Sequence, residues 1–222
     1  METKKLSIGT EIVIGTALFI FIAYGMYLRH FVGYDAFQNY VREDGPVEYL
    51  TALFLFFSSL VCFYRVFRYR KMKKPLWILT WTVLAFLFLF AAGEEISWGQ
   101  RIFGLQSSEF FQQHNKQTEI NLHNLTFKGK NLNIIIFSRL MFLVLFIYFA
   151  LSRLMVWKIP FIRNLVNKFN VPLPGVQHII IMLAATLFIL LIHIIKESEL
   201  HELSFGMIFL MIFLNPARIY NE

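Results

Sequence analysis

The sequence of 222 residues has few charged residues and a single cysteine, and both shortages narrow the class of protein. Charged residues make up 16% of the chain, against roughly 25% in a soluble globular protein. The single cysteine, Cys62, excludes an internal disulfide framework and a cysteine-based metal site. The sequence also lacks a glycine-rich phosphate loop, an internal repeat and a Ser-His-Asp order. Nothing in it is typical of a soluble enzyme domain.

Long apolar runs are what the sequence has instead. Hydrophobic residues make up 57% of the chain, and several runs approach the roughly 20 residues that a helix needs to cross a bilayer. We therefore predict an all-α polytopic membrane protein with one membrane-embedded helical domain over residues 1–222. About six transmembrane helices are expected, or five because no glycine or proline marks the turn before the last. The predicted spans are residues 12–28, 48–67, 76–93, 133–151, 176–195 and 203–214.

The basic residues predict the orientation of these spans. The connection at residues 68–74, R-Y-R-K-M-K-K, is expected to be cytoplasmic by the positive-inside rule, and the N-terminus lies on the same side. The first span is interpreted as a retained helix, because no small-residue cleavage signal follows it. In this topology 13 of the 21 Lys and Arg are inside. The net charge of +7 is then explained by topology and anionic lipid headgroups, and not by nucleic-acid binding.

The acidic residues collect on the opposite, extracytoplasmic face. Eleven of the 14 Asp and Glu map there, as do all histidines except His178. Acidic residues contribute little to orientation, so this accumulation needs another cause. We expect a functional site on the outer face.

The candidate catalytic residues lie in residues 93–124, directly after an apolar run. Two adjacent carboxylates, Glu94 and Glu95, are costly at the end of a membrane helix unless they are paired, protonated or bound to a cation. Glu119 and His123 point the same way whether their segment is helical or extended. We predict these four residues as the catalytic set. An interfacial ion-pair cluster that fixes the depth of the helix is the alternative.

Three further residues are predicted to bind substrate. Arg101 lies two turns beyond Glu94 if the helix continues, and it is expected to compensate one of the two adjacent glutamates. Arg139 lies within a span and needs a partner among the same acids. Either guanidinium could hold a phosphate or stabilise an oxyanion. Trp98 lies at the interfacial depth that indole rings favour.

A second candidate site follows the fifth span. His193, Glu197 and His201 share one helical stripe if that helix persists, and metal sites use this spacing. A divalent metal such as zinc is therefore a candidate cofactor. The alternative is a helix that emerges into water with no ligand.

Two segments have structural interpretations. Glu48, shortly after G-P, is expected with Asp44 to stabilise the start of a helix. Residues 151–170 interleave apolar and basic residues, which predicts an amphipathic segment on the cytoplasmic surface, ended by Pro172 and Pro174.

Three motifs give the chain a family resemblance. E-D-G-P-V-E-Y-L-T-A-L, G-E-E-I-S-W-G-Q-R and N-x-Q-x-E-x-N-L-H-N together resemble an uncharacterised family of bacterial multi-span inner-membrane proteins. The resemblance covers most of the chain. It implies a location in the bacterial inner membrane and brings no established activity.

The same region has a weaker similarity to the CAAX-type intramembrane glutamic proteases, which process prenylated proteins and bacteriocins. Those enzymes use Glu-Glu-x-x-x-Arg, Phe-x-x-x-His and His-x-x-x-Asn. Here Glu94 and Glu95 match the first pair, and Phe110 with His114 fits the second motif. The arginine comes two residues late, at Arg101, and the third motif does not occur. The similarity implies an analogy of chemistry only.

Three functions follow from these patterns. The first is a membrane-embedded hydrolase or transferase that acts on a lipid or a membrane-tethered peptide. Glu94 or Glu95 is then the general base, and His123 with Glu119 orients water or holds a metal. The second is a non-catalytic membrane partner or scaffold protein. The third, a cation or proton pathway, is disfavoured because the spans contain few polar residues and no acid deeper than Glu94. The sequence leaves the oligomeric state open.

Overall fold

The computed structural model describes residues 8–122, 124–127, 130–131, 141–192 and 198–217. Over these residues the regular secondary structure is helical apart from one short antiparallel hairpin of two-residue strands. The elements are α1 (Ile8–Tyr27), a π-helical turn (Leu28–Val32), α2 (Tyr34–Tyr40), α3 (Pro46–Tyr69), α4 (Pro75–Glu95), a 3-10 turn (Ser97–Gly99), α5 (Gln100–Phe103), α6 (Glu109–His114), β1 (Thr126–Phe127), β2 (Lys130–Asn131), α7 (Met141–Phe146), a second π-helical turn (Ile147–Leu151), α8 (Ser152–Lys158), α9 (Pro160–Phe169), α10 (Val176–Leu190) and α11 (Ser198–Leu214).

Three of these helices are long and apolar enough to cross a membrane: α1 with its π-helical turn, α3 and α4. A fourth crossing results if Leu143–Lys158 and Pro160–Phe169, which are bent by 110° relative to each other, form one span. α10 is apolar but shorter. The prediction of a helical membrane protein is confirmed, whereas about six spans and a cytoplasmic N-terminus stay predictions.

The outer surface of the bundle is apolar. On α4, Leu79, Val83 and Phe86 are each more than half exposed, whereas Trp81 and Phe88 on the same helix are buried. Such a surface is unfavourable in water and fits contact with lipid acyl chains.

The helix α11 lies in the centre of the bundle, against α1, α3 and α10. A helix that is apolar on all sides belongs in a core. The predicted last span, residues 203–214, is the later part of this helix, which begins at Ser198. Its buried residues are Leu200, Leu203, Ser204, Gly206, Met207, Ile208, Leu210, Met211, Ile212 and Phe213.

The directions of the helices define two ends of the bundle. α3 and α4 are antiparallel neighbours, joined by the short basic connection. α11 runs parallel to α3, because Arg65 near the end of α3 donates a 2.6 Å hydrogen bond to the carbonyl oxygen of Leu214. We call the end that holds the start of α3, the end of α4 and the start of α11 the acidic end. The opposite end is the basic end.

The amphipathic segment predicted over residues 151–170 is found in part, as the amphipathic helix α9, whereas its earlier half is α8 and its cytoplasmic location stays a prediction. The helix α9 packs against α4, where the Thr80 hydroxyl donates a 2.7 Å hydrogen bond to the carbonyl oxygen of Phe169. The fifth helix, α10, is shorter than predicted, since it ends at Leu190 and not at residue 195. A tight turn follows, in which the Ile192 amide donates to the carbonyl oxygen of Ile189 at 2.9 Å.

Candidate functional site

A left-handed turn ends the transmembrane helix α4 at the predicted site. Ser97, Trp98 and Gly99 have φ angles of 47°, 54° and 75°, and the left-handed region costs a non-glycine residue about 1–2 kcal/mol. Gly93 makes the turn possible, because a Cβ atom there would lie 2.8 Å from the Trp98 ring. The Trp98 indole N–H donates a 2.8 Å hydrogen bond to Oε1 of Glu94, which fixes the ring over the helix end.

Glu94 is buried, and both of its carboxylate oxygens accept hydrogen bonds. Oε1 takes the Trp98 indole, and Oε2 accepts a 2.6 Å hydrogen bond from the backbone amide of Leu122. The carboxylate therefore joins the end of α4 to the loop that follows α6.

Glu119 is also buried and has three side-chain partners. Its Oε2 accepts hydrogen bonds of 2.7 Å from the Ser97 hydroxyl and 2.7 Å from the Asn121 amide. Its Oε1 forms an ion pair with Arg101, and the same guanidinium pairs with Asp44. One carboxylate and one guanidinium thus join three segments that are distant in sequence.

The pairing of Arg101 corrects the sequence prediction. The expectation was that α4 continues and that Arg101 compensates one of the adjacent glutamates. The left-handed turn ends the helix first, so Arg101 instead reaches Glu119 and Asp44. Asp44 accordingly does more than the helix-start role expected of it. Glu48 keeps that role, since it accepts a hydrogen bond from the Asp44 backbone amide.

Sequence reasoning missed Asn115, a buried residue that organises the loop. Its side-chain amide donates to the backbone and side-chain oxygens of Asn121 at 3.0 and 2.9 Å. Its side-chain oxygen accepts from the backbone amides of Gln117 at 2.9 Å and Glu119 at 3.2 Å. The available signal was the asparagine content of the loop, since Asn side chains satisfy backbone groups in turns.

These contacts form a single buried network, which we call the polar knot. Within it, residues 115–122 are neither helix nor strand, so neither geometry predicted for that segment applies. The expected convergence of Glu119 with His123 stays a prediction, because His123 lies outside the described residues, and Glu119 instead bonds to Asn121. The members of the polar knot are Glu94, Ser97, Arg101, Asn115, Glu119 and Asn121.

Glu95 lies in a different environment from Glu94. It interacts electrostatically with Glu48, Glu199 and Glu202, which come from the starts of α3 and α11. We call these four residues the carboxylate cluster. Across the part of the chain that the structure describes, no hydrogen bond or ion pair engages the Glu95 side chain. The two adjacent glutamates therefore have opposite electrostatic surroundings.

Sequence reasoning did not join Glu199 and Glu202 to Glu95. Helix packing brings them together, because the central helix α11 starts beside the end of α4. The sequence signal was the acidic run E-S-E-L-H-E immediately before an apolar stretch.

The remaining predicted residues are only partly described. His123, Arg139, His193 and Glu197 lie outside the described residues. His201 lies in α11, and its ring stacks on Phe205 with the centroids 6.4 Å apart.

The metal stripe was predicted on the condition that the fifth helix persists, and α10 ends before its first member. Within the described ranges, no three His, Cys, Asp or Glu side chains are placed to hold a metal ion. The zinc site stays a prediction.

Comparison with known proteins finds no relative of this chain. No protein-family model matches it, and no curated protein or solved structure matches it either. The two resemblances drawn from the motifs therefore stay expectations.

Proposed function

We propose that the protein is a membrane-embedded hydrolase or transferase whose general base is Glu95. The supporting observation is the contrast between the two adjacent glutamates. Both oxygens of Glu94 accept hydrogen bonds, whereas Glu95 lies among like-charged carboxylates. A general base needs an oxygen that is free to take a proton, and Glu95 fits that requirement better than Glu94.

The carboxylate cluster supports the same assignment. Four carboxylates at the boundary of a membrane are costly to ionise together, so we infer that the cluster is stabilised by a shared proton. Glu119 and Glu94 then act as positioning residues, because their contacts hold the end of α4 and the loop in place. His123 keeps its predicted role of orienting water or holding a metal.

The proposed reaction proceeds by general-base catalysis. Glu95 takes a proton from water, and the water oxygen bonds to a carbonyl carbon or a phosphorus atom of the substrate. The bond to the leaving group breaks, and the leaving group receives the proton from Glu95. In a transferase, an alcohol or amine acceptor replaces the water.

The depth of Glu95 favours a substrate held in the membrane. The 21 residues of α4 span about 31 Å at 1.5 Å per residue, close to the roughly 30 Å hydrocarbon core. The carboxylate at the end of this helix then lies at the boundary between acyl chains and headgroups. A lipid or a membrane-tethered peptide presents its reactive group at that depth.

We also infer the location and the sides of the membrane. The acidic end faces outward from the bacterial inner membrane, and the basic end with the N-terminus is cytoplasmic. The excess of Lys and Arg at the basic end supports this orientation. A substrate group can bind Arg101 only if it displaces Asp44 or Glu119 from the guanidinium. The Trp98 side chain, in contrast, is exposed.

The experiment uses the full chain in lipid nanodiscs with bacterial lipid extract or a lipidated peptide, and mass spectrometry detects products. We expect Glu95→Gln to abolish product formation. Glu109→Gln, an exposed carboxylate in the same region, should retain it. Undiminished turnover by Glu95→Gln would contradict the assignment.

Metal content measured on the same preparations separates two versions of the mechanism. A near-stoichiometric divalent metal that is lost in both Glu95→Gln and His123→Ala supports metal-assisted catalysis. A parent protein that is active without metal supports the metal-free version.

The second candidate is a non-catalytic membrane partner or scaffold protein. It is favoured by the polar knot, whose described side chains satisfy one another and leave no metal-holding cluster there. If no substrate turns over and a protein copurifies with the parent but not with acidic-end variants, this candidate replaces the enzyme.

A further inference from the structure

An apolar surface begins at the left-handed turn and continues over α5 and the start of α6. Its side chains are 46–74% exposed, which is unusual for such large apolar groups outside a transmembrane helix. The members are Trp98, Ile102, Phe103, Leu105 and Phe110.

Two polar side chains of the same segment, Gln100 and Ser107, turn inward to the loop that holds the polar knot. Gln100 donates a 2.8 Å hydrogen bond to the Ser107 hydroxyl and accepts one of 2.7 Å from the Ile120 backbone amide. Gln112 donates a 2.7 Å hydrogen bond to the carbonyl oxygen of Ser107. Gln100 and Ser107 therefore tie the segment to the loop, while its large apolar side chains are exposed on the outside together with polar groups such as Glu109.

The apolar face is continuous with the lipid-facing surface of α4. Phe90, the last large exposed residue of that surface, packs edge-on against Trp98 with the ring centroids 5.6 Å apart. α4 is just long enough to cross the hydrocarbon core, so the segment leaves the helix at headgroup depth. Indole and phenyl rings are favourable at that depth.

We propose that residues 98–110 are an interfacial segment that docks onto the bilayer leaflet at the acidic end. Its apolar side chains enter the boundary between headgroups and acyl chains, and Gln100 and Ser107 hold the loop that contains the polar knot. Lipid is the occupant because the face continues the exposed apolar surface of α4, a helix long and apolar enough to cross a membrane. The assignment does not rest on catalysis by Glu95.

The test measures depth with a nitroxide label on single introduced cysteines. Ile102→Cys and Phe103→Cys report on the apolar face, and Glu109→Cys and Gln113→Cys are exposed polar controls nearby. The parent protein, whose Cys62 is buried, is the labelling blank. Each variant is placed in nanodiscs of phosphatidylcholine and phosphatidylglycerol, and collision rates are measured with oxygen and with a water-soluble nickel chelate.

We expect the ratio of oxygen to nickel collisions to be several-fold higher at positions 102 and 103 than at 109 and 113. Equal ratios at all four positions would place the segment in water and overturn the proposal. Protection of 102 and 103 from both reagents would show that protein covers the face, which would also overturn it. Because the label replaces exposed side chains, a normal elution profile of each variant suffices as the folding check.

Discussion

The two ends of the helical bundle differ in how their buried polar groups are paired. At the basic end, two buried titratable groups, Arg65 and His178, each have their own fixed partners. The Arg65 guanidinium caps the end of α11 and lies 4.9 Å over the Trp81 ring, and the buried His178 lies between a backbone amide and Glu11. At the acidic end, the polar knot shares its partners among many side chains, and a cluster of like charges lies beside it.

This difference distinguishes polar groups that stabilise the fold from polar groups that are candidates for function. Isolated pairs with fixed partners stabilise helix ends and need no further explanation. Like charges kept together at a membrane boundary raise the free energy of the folded state, unless a proton or ligand offsets them. The carboxylate cluster is therefore the region where stability and function should respond differently to substitution.

The largest effect is expected for Glu119→Ala. The substitution removes the hydrogen bonds that Ser97 and Asn121 donate to a buried carboxylate, and hydrogen bonds to charged groups are worth about 1.5–3 kcal/mol each. Arg101 is half-exposed and keeps Asp44 as a partner, so its ion pair adds little and the expected loss is about 3–4 kcal/mol. Unfolding in detergent, followed by circular dichroism, measures the change. Gln113→Ala, at an exposed position, should stay within about 0.5 kcal/mol. A similar small change for both would show that the polar knot is not structural.

The adjacent glutamates form a matched pair for the next prediction. Glu94→Ala should cost about 2–3 kcal/mol, since it removes two hydrogen bonds to a charged group. Glu95→Ala should leave stability within about 1 kcal/mol or raise it, because it removes like-charge repulsion. The same unfolding assay compares them. Equal losses would remove the contrast on which the assignment of Glu95 depends.

A smaller loss is expected for Gly93→Ala. The new Cβ would meet the Trp98 ring at 2.8 Å, and overpacking of this kind costs about 1–3 kcal/mol. Combining it with Trp98→Leu should cost less than the sum of the single changes, which a double-mutant cycle measures. Gly206→Ala is the control, because its Cβ would find ordinary contacts at 3.6 Å. If the losses of the two single variants add up in the double variant, the Trp98 ring does not pack against Gly93.

The smallest effect is expected at the basic end, for Glu11→Gln. The amide keeps a hydrogen-bonding group beside His178 and loses only the charge, so the cost should be about 1 kcal/mol or less. Thermal unfolding in detergent gives the value. A loss as large as that of Glu119→Ala would show that the two ends do not differ in the way described above.

The fold class and the long helices could be predicted because they depend on local patterns. The apolar runs at residues 48–67 and 76–93 lie within α3 and α4, and each of these helices begins at a proline, as its sequence suggests. Apolar length does not, however, distinguish a helix in lipid from one in the core. α11 is therefore predictable as a helix but not as the centre of the bundle.

The position of Glu94 and Glu95 at the end of an apolar helix could be predicted from sequence, but their contacts could not. Glu94 and Glu95 are adjacent in sequence, yet they have different surroundings in the fold. The left-handed turn after them brings hydrogen-bond donors to Glu94, whereas Glu95 faces other carboxylates. The turn itself has a readable cause in Gly93 and Gly99, which flank Trp98. The approach of Glu199 and Glu202 depends on packing between distant segments, which a periodicity cannot reveal.

The central position of α11 has a consequence for how the protein is made. This helix follows the other described helices in the chain, yet it fills the space between α1, α3 and α10. During synthesis the earlier helices are made before the central helix that they surround. Arg65 therefore has no hydrogen bond to the carbonyl oxygen of Leu214 until α11 is made. The bundle and the carboxylate cluster are therefore complete only when α11 has packed against the earlier helices.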